Sequence, residues 1–293
     1  MITLSISKSG YTPERIRELV KNLAILKNVS QKEIIDLSEI RWVTPLSILP
    51  VALLIARWQK RGIKVNLPTD PSINSYLNTI LFPKGTDQPE VIPMGESYFP
   101  IVRISTEGKE FLSGVIDKTI GKYQELLSSL LVSQIYKKDI TQALGWFIME
   151  MAANVQDHAF AREFWLLSQY WQKSGEVEIC LLDDGIGFSG SYNKAKIPIK
   201  DDIEAIDKAV KGISSKKDVG QGYGINRSIY LITESDLKGE FLIISGNAGY
   251  YKKHRQLPNL FKLGGIGWRG VVIMVKVQKP YSPINIYEYI GSR

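Results

Sequence analysis

Short apolar runs alternate with helical patterns over the first 80 residues of the chain. The strand-like runs lie at residues 2–6, 33–37 and 63–67. Between them, Thr12 followed by Pro13 is a strong helix start, and residues 45–61 form a second helical segment that Gly62 ends. Because strand–helix repeats build sheets with right-handed crossovers, this pattern predicts a small α/β unit.

The pattern beyond residue 80 predicts a second and larger unit. Residues 81–105 hold four prolines and two glycines, which mark a connector, and residues 109–132 have the spacing of an amphipathic helix. Residues 163–171 and 176–182 predict an antiparallel hairpin. The other predicted elements are helices from about residue 139, at 202–210 and at 225–233, and strands at 241–245 and 271–277.

These elements divide the chain into two domains with a connector. We place the first domain at residues 1–92, the connector and its amphipathic helix at 93–136, the second domain at 137–280 and a tail at 281–293. Hydrophobic residues make up 44% of the 293 positions and charged residues 23%, which is typical of a globular protein. The apolar runs fall far short of the roughly 20 residues that a membrane helix needs. The N-terminus lacks a leader pattern, so we expect a cytoplasmic protein with no membrane contact.

The net charge of +7 is unevenly distributed. Residues 241–287 contain seven Lys or Arg and no Asp or Glu, which leaves 30 residues of each sign elsewhere. Such a segment could attract nucleic acid or another polyanion. The alternative is a solvated basic face, which we prefer because no nucleic-acid-binding module accompanies the segment.

Two segments and a glycine-rich helix start carry the candidate chemistry. In the helical pattern at residues 143–158, Glu150 and Asn154 stand one turn apart and share a face. An apolar strand then runs into Asp183-Asp184-Gly185-Ile186-Gly187, where glycine favours a tight turn. Downstream, a helix opens with bare N–H groups suited to phosphates, at Gly220, Gly222 and Gly224.

These residue types suit a nucleotide with its metal ion. Mg²⁺ prefers oxygen ligands and completes its shell with water and phosphates, so the Asn154 carbonyl could supply one ligand. Glu150 could then accept a proton from an attacking water or hydroxyl. Asp183 offers an acceptor to an exocyclic amine, while Gly185 and Gly187 allow a flat ring to approach the backbone.

Taken in this order, residues 137–279 resemble the GHKL ATPase domain. This Bergerat-type fold is shared by gyrase, heat-shock chaperones, mismatch-repair ATPases, histidine kinases and anti-sigma-factor serine kinases. The resemblance implies an α/β sandwich whose mixed, mostly antiparallel sheet is covered by helices, and it implies ATP and Mg²⁺ as ligands. The family's N box falls on Glu150, Asn154, Asp157 and His158.

The resemblance also implies a role for each matched residue. Glu150 would be the general base, Asn154 the Mg²⁺ ligand and Asp183 the partner of the adenine amino group. The matched glycines would lie at the adenine or the phosphates, or form the third glycine box: Gly185, Gly187, Gly220, Gly222, Gly224 and Gly270. Residues 189–219 would form a lid, and the γ-phosphate could meet Lys211, Lys216 or Lys217.

Residues 1–92 resemble a STAS domain, the fold of anti-sigma-factor antagonists. The resemblance lies in Ile35-Asp36-Leu37-Ser38, which leads through Trp42 to a helix at Pro45. In that family the helix start carries a phosphorylatable serine in Asp-Ser-Ser-Gly, whereas this chain has Thr44-Pro45-Leu46-Ser47. The phosphoacceptor is absent from its usual place, and we therefore expect an interaction or scaffold module.

Together the resemblances imply an Mg-ATP-dependent conformational switch with slow ATP hydrolysis, acting on a protein partner or as a homodimer. One alternative is a serine/threonine protein kinase of the anti-sigma-factor type. Another is ATP-gated binding of nucleic acid by residues 241–287. A histidine kinase is disfavoured, because the only histidines are His158 and His254 and neither precedes the N box.

Overall fold

The computed structural model describes residues 1–4, 6, 11–30, 33–92, 97–107, 111–131, 136–215, 223–265, 267–280 and 282–291. Its first three strands form a parallel sheet in chain order: β1 (Ile2–Thr3), β2 (Ile34–Asp36) and β3 (Lys64–Asn66). One helix follows each strand: α1 (Pro13–Lys27), α2 (Pro45–Gln59) and α3 (Pro71–Thr79). The α/β pattern predicted for the N-terminal unit is confirmed.

The other described strands form a seven-stranded sheet in the order β4-β5-β6-β10-β7-β8-β9. Their bounds are β4 (Tyr98–Ser105), β5 (Glu163–Trp171), β6 (Glu176–Asp183), β7 (Glu240–Gly246), β8 (Ala248–Lys253), β9 (Asn259–Lys262) and β10 (Trp268–Gln278). Each neighbouring pair in this order is antiparallel, including the predicted β5–β6 hairpin. The predicted α/β class, with a mostly antiparallel sheet covered by helices, is confirmed.

The helices of the larger unit pack on one face of this sheet. They are α4 (Asp117–Leu130), α5 (Lys137–Asn154), α6 (Gly187–Lys194), α7 (Asp202–Val210), α8 (Gly224–Glu234) and α9 (Tyr287–Ile290). The pattern did not predict β8, β9, α6 or α9. Gly246-Asn247-Ala248-Gly249 has the composition of a turn, but among these four residues only Gly246 takes a left-handed conformation, φ +57°, and β8 begins at Ala248. No described helix has the length and apolarity to cross a membrane.

Helix α2 covers the opposite face of the same sheet. Thr44 caps it, and Ser47 completes a capping box, with Thr44 N donating to Ser47 Oγ at 2.8 Å. Its side chains are buried on all sides from Pro45 to Ala56, apart from Ser47. A helix that is apolar all round must be enclosed. It lies between the other elements of the N-terminal unit, α1 and β3, and strands β5, β6 and β10 of the larger sheet.

Strand β6 shows how the sheet serves two cores. Ile179 and Leu181 pack with α4, α5 and α8, whereas Cys180 and Leu182 pack with α1 and α2. This alternation follows from the two-residue period of a strand. Strand β6 is therefore buried on both faces, and its C-terminal end carries the aspartates of the candidate site.

One carboxylate is buried beneath the start of α2. Glu178 on β6 is 1% exposed, accepts from the backbone N–H of Leu46 at 3.1 Å and accepts a hydrogen bond from the Tyr11 hydroxyl. Burial raises the pKa of Glu178 to about 7, although these hydrogen bonds oppose the shift. The start of α2 is thus in contact with a buried side chain of the larger sheet.

We expect Glu178→Gln to remove a pH-dependent cost of folding. The folded protein retains a proton that the unfolded chain releases above the ordinary pKa of 4.5. The contribution of the protonated Glu178 to the free energy of unfolding is fully present below pH 4.5, and the wild type loses it as the pH rises to about 7. At pH 8 the variant should exceed the wild type in free energy of unfolding by up to about 3 kcal/mol.

Urea denaturation from pH 4 to pH 8 measures this difference. Glu39→Gln is the control, because the Glu39 side chain is 61% exposed. A constant difference between Glu178→Gln and the wild type across this range would contradict the assignment.

Candidate functional site

Asp183 ends β6 at the floor of a cleft on the helical side of the sheet. It is 3% exposed, and both of its oxygens accept backbone hydrogen bonds, from Gly185 N at 2.8 Å and from Val271 N at 3.2 Å. Burial raises its pKa to about 7, the two hydrogen bonds oppose this, and the charge of Asp184 adds to it. A carboxylate has about four acceptor positions, so Asp183 retains capacity for a ligand donor.

Two glycines allow the backbone to close around Asp183. Gly270 has φ +90°, and a Cβ there would lie 2.2 Å from the carbonyl oxygen of Asp183. A Cβ on Gly185 would lie 2.0 Å from the carbonyl oxygen of Ala159. These contacts bring β10 and the segment after α5 against the end of β6. This close packing alone requires glycine at both positions, with or without a bound ring.

Asn154 is the last residue of α5 and lines the same cleft as Asp183. Its side-chain nitrogen is buried and has no hydrogen-bond partner among the described residues. Leaving a buried polar group unpaired costs about 1–3 kcal/mol, which a ligand could recover. The next residues, Val155–Ala159, form a π-helical turn that carries Asp157 on the surface. The side chain of His158 is outside the described part of the chain.

Glu150 lies one turn before Asn154 and faces the start of α8. A Cβ on Gly224 would lie 2.1 Å from Glu150 Oε2, so glycine is what lets this carboxylate approach the helix. The side chain is half-buried; burial raises its pKa, and the positive charge of Arg227 opposes the shift. A half-buried carboxylate with a raised pKa, set at the first turn of a helix, can take up and release a proton.

The cleft encloses about 760 Å³ of space, including its part open to solvent. Asn154, Asp183 and Gly187 line it. Its walls are mainly apolar and include Met151, Phe188, Tyr192, Ile213, Ile225 and Ile273. An apolar cleft with a carboxylate and an amide at its floor suits a flat heterocycle that bears an amine.

The structure separates the predicted residues into three groups. Asn154, Asp183 and Gly187 line the cleft, Glu150 and Gly224 meet beside it, and Gly185 and Gly270 support Asp183 from beneath. Gly220, Gly222, Lys216 and Lys217 lie outside the described residues. Lys211 pairs with Asp207 at 2.7 Å. Of the expected lid, residues 189–194 belong to α6 and residues 202–210 form α7.

Several site residues had no signal in the sequence pattern. Ser245 on β7 donates to the carbonyl of Gly270 at 3.0 Å and accepts from Phe188 N at 3.2 Å, which joins three parts of the cleft floor. Ser191 and Ser215 share a 2.8 Å hydrogen bond that closes one wall. Lone serines are common everywhere in a sequence, so only their positions in space identify them.

The basic segment at residues 241–287 is partly neutralised by carboxylates from outside it. Among the described residues, four of its seven cations form ion pairs: Lys252–Glu234 at 2.7 Å, Lys253–Glu240 at 3.6 Å, Lys262–Asp201 at 3.6 Å and Lys276–Glu176 at 2.9 Å. The charge excess counted along the sequence is therefore spread among mixed pairs on the surface. Nucleic-acid binding by this segment stays a prediction.

Comparisons with known proteins find matches among solved structures alone. No family model matches the chain, and no curated protein matches it. Solved structures that match include the histidine kinase domain of the blue-light-activated histidine kinase EL346 from Erythrobacter litoralis. That match is 12% identical, covers 91% of this chain and 95% of the other, and has a TM-score of 0.26. Values this low establish neither a family nor a function.

Proposed function

We propose that this protein binds Mg-ATP in the cleft between α5 and β6 and acts as an ATP-dependent conformational switch with slow hydrolysis. The observation that carries the proposal is the cleft floor, where the buried acceptor Asp183 lies in the same apolar cavity as Asn154, whose side-chain nitrogen has no partner among the described residues. Adenine presents a flat apolar ring with an amine at its edge. The amine would donate to Asp183, and the ring would pack between the apolar walls.

The donor set fits a magnesium ion that arrives with the nucleotide. Asn154 would offer its side-chain oxygen to the ion. Rotation of the amide toward the ion would also move its nitrogen out of the buried position where it has no hydrogen-bond partner among the described residues. When bound, the ion would neutralise charge on the phosphate oxygens. Among the described residues, no three His, Cys, Asp or Glu side chains form a metal-binding group of their own.

Glu150 would be the proton acceptor in hydrolysis. Burial raises its pKa and so makes the carboxylate a stronger base, and in the proposal its position one turn before Asn154 would set it on the phosphate side of the cleft. In the proposal it takes the proton of an attacking water, and Gly224 provides the space that it occupies. The same carboxylate could serve transfer to a hydroxyl of a partner protein.

Calorimetric titration of the purified protein with ATP and with ADP, with and without Mg²⁺, tests the proposal. We expect saturable binding of both nucleotides and a dependence of ATP affinity on Mg²⁺. A protein that neither binds Mg-ATP nor gains thermal stability from it would disprove the proposal.

We expect Glu150→Gln to retain ATP binding and to hydrolyse it about 100-fold more slowly, because a glutamine keeps the shape and loses the base. Release of labelled phosphate under single-turnover conditions measures the rate. Glu125→Gln is the control, since the Glu125 side chain is 61% exposed on α4. Equal rates in Glu150→Gln and wild type would remove Glu150 from the chemistry. Label that moves to a protein instead of to free phosphate would indicate a kinase.

A further inference from the structure

Asp184, beside the proposed adenine acceptor, joins three segments of the chain. Its Oδ1 accepts from Arg162 N at 2.8 Å and from Glu163 N at 3.1 Å, at the start of β5. Its Oδ2 accepts from Arg57 Nη2 at 2.5 Å, on the last turn of α2. The Asp184 side chain is 9% exposed. A well-buried carboxylate with these partners fixes the end of β6 against both β5 and the N-terminal unit.

Asp183 and Asp184 point to opposite sides of the sheet. The alternation along β6 directs Leu181 and Asp183 toward the helical face and the cleft, and Leu182 toward the core that contains α2. Asp184 continues this alternation on the α2 side, where it meets Arg57. The backbone that presents Asp183 to the cleft is thus held from the other face by a residue of the N-terminal unit.

Helix α2 is a firm support for this contact. Its side chains from Ile48 to Ala56 are buried, and it packs on β5, β6 and β10. Arg57 is 42% exposed, and an ion pair that is open to water on one side adds little to global stability. The effect of the Arg57–Asp184 ion pair is local, because the pair fixes the position of the Asp183-Asp184 backbone.

We propose that Arg57 is a positioning residue, and that through Asp184 the N-terminal unit sets the affinity of the cleft for ATP. This inference rests on the proposed function. Motion of α2 relative to the sheet would move Asp184, and with it the turn whose N–H groups hold the Asp183 carboxylate. A partner that shifts the N-terminal unit would in this way change nucleotide binding on the opposite face of the sheet.

The first test compares ATP affinity among variants of the full chain by calorimetry. We expect Arg57→Gln to bind ATP about tenfold more weakly, and Arg57→Lys, which keeps a donor and a charge, to bind within about threefold of wild type. Arg61→Gln is the matched control, because Arg61 follows the same helix and stacks on Trp58, with Cζ 5.0 Å from the ring centre. Asp184→Asn should add little in the Arg57→Gln background, since both changes break one link.

The second test needs no nucleotide. Amide hydrogen exchange of Gly185 and Val271, the two donors to Asp183, should be about tenfold faster in Arg57→Gln than in wild type and unchanged in Arg61→Gln. Unchanged exchange together with unchanged ATP affinity in Arg57→Gln would overturn the inference, as would an equal effect from Arg61→Gln. If wild type binds no ATP, the proposed function fails. Faster exchange at Gly185 and Val271 would then still support the positioning link.

Discussion

Asp183→Asn is expected to weaken ATP binding by about 100-fold, which corresponds to about 2.7 kcal/mol. Asp183 accepts from Gly185 N and Val271 N and would also accept from the adenine amine. An asparagine has one acceptor oxygen, so its amide hydrogens would face either a backbone N–H or the ligand amine. Two hydrogen-bond donors that face each other in a buried site are unfavourable, and ATP could not restore the hydrogen bond that the adenine amine would make to Asp183.

Calorimetry on Asp183→Asn, with Asp117→Asn as control, measures the effect. Asp117 is an exposed carboxylate in the first turn of α4. Unfolding in urea should be cooperative for both variants, so that a loss of affinity reports on the cleft. ATP binding of unchanged affinity in a folded Asp183→Asn protein would exclude Asp183 as the adenine acceptor and would move the nucleotide elsewhere.

Gly270→Ala is expected to lower the free energy of unfolding by about 4 kcal/mol. The residue has φ +90°, and its Cβ would lie 2.2 Å from the backbone oxygen of Asp183. The backbone of β6 cannot yield without disturbing a strand that is buried on both faces. The substitution therefore combines a disfavoured conformation with a steric clash.

Gly264→Ala separates these two contributions. Gly264 has φ +77°, but a Cβ there would meet nothing within 4 Å, so the conformational cost alone, about 1 kcal/mol, should remain. Urea denaturation of both variants measures the difference. Equal losses would show that the close approach of Gly270 to Asp183 contributes nothing to stability.

Local pattern was sufficient for most of the elements. The hairpin of β5 and β6, helix α7, the capped start of α1 and the start of α2 at Pro45 agree with the expected positions, because caps, turns and periodicity depend on residues a few positions apart. Strand β8 was missed since Gly246-Asn247-Ala248-Gly249 has the composition of a turn. Gly249 is instead a strand residue, and a Cβ on it would lie 2.4 Å from the Phe261 ring.

The sequence by itself determined the residue types of the candidate site and their order along the chain: a helix with Glu150 and Asn154, a strand ending at Asp183, and glycines downstream. Tertiary structure alone decided which of them share a cleft and what Gly185 and Gly270 pack against. It also decided that the N-terminal unit lies on the back of the same sheet, where Arg57 and Glu178 meet partners more than 100 positions away. Pairing over such distances depends on the packing of whole elements, and no local period of the sequence records it.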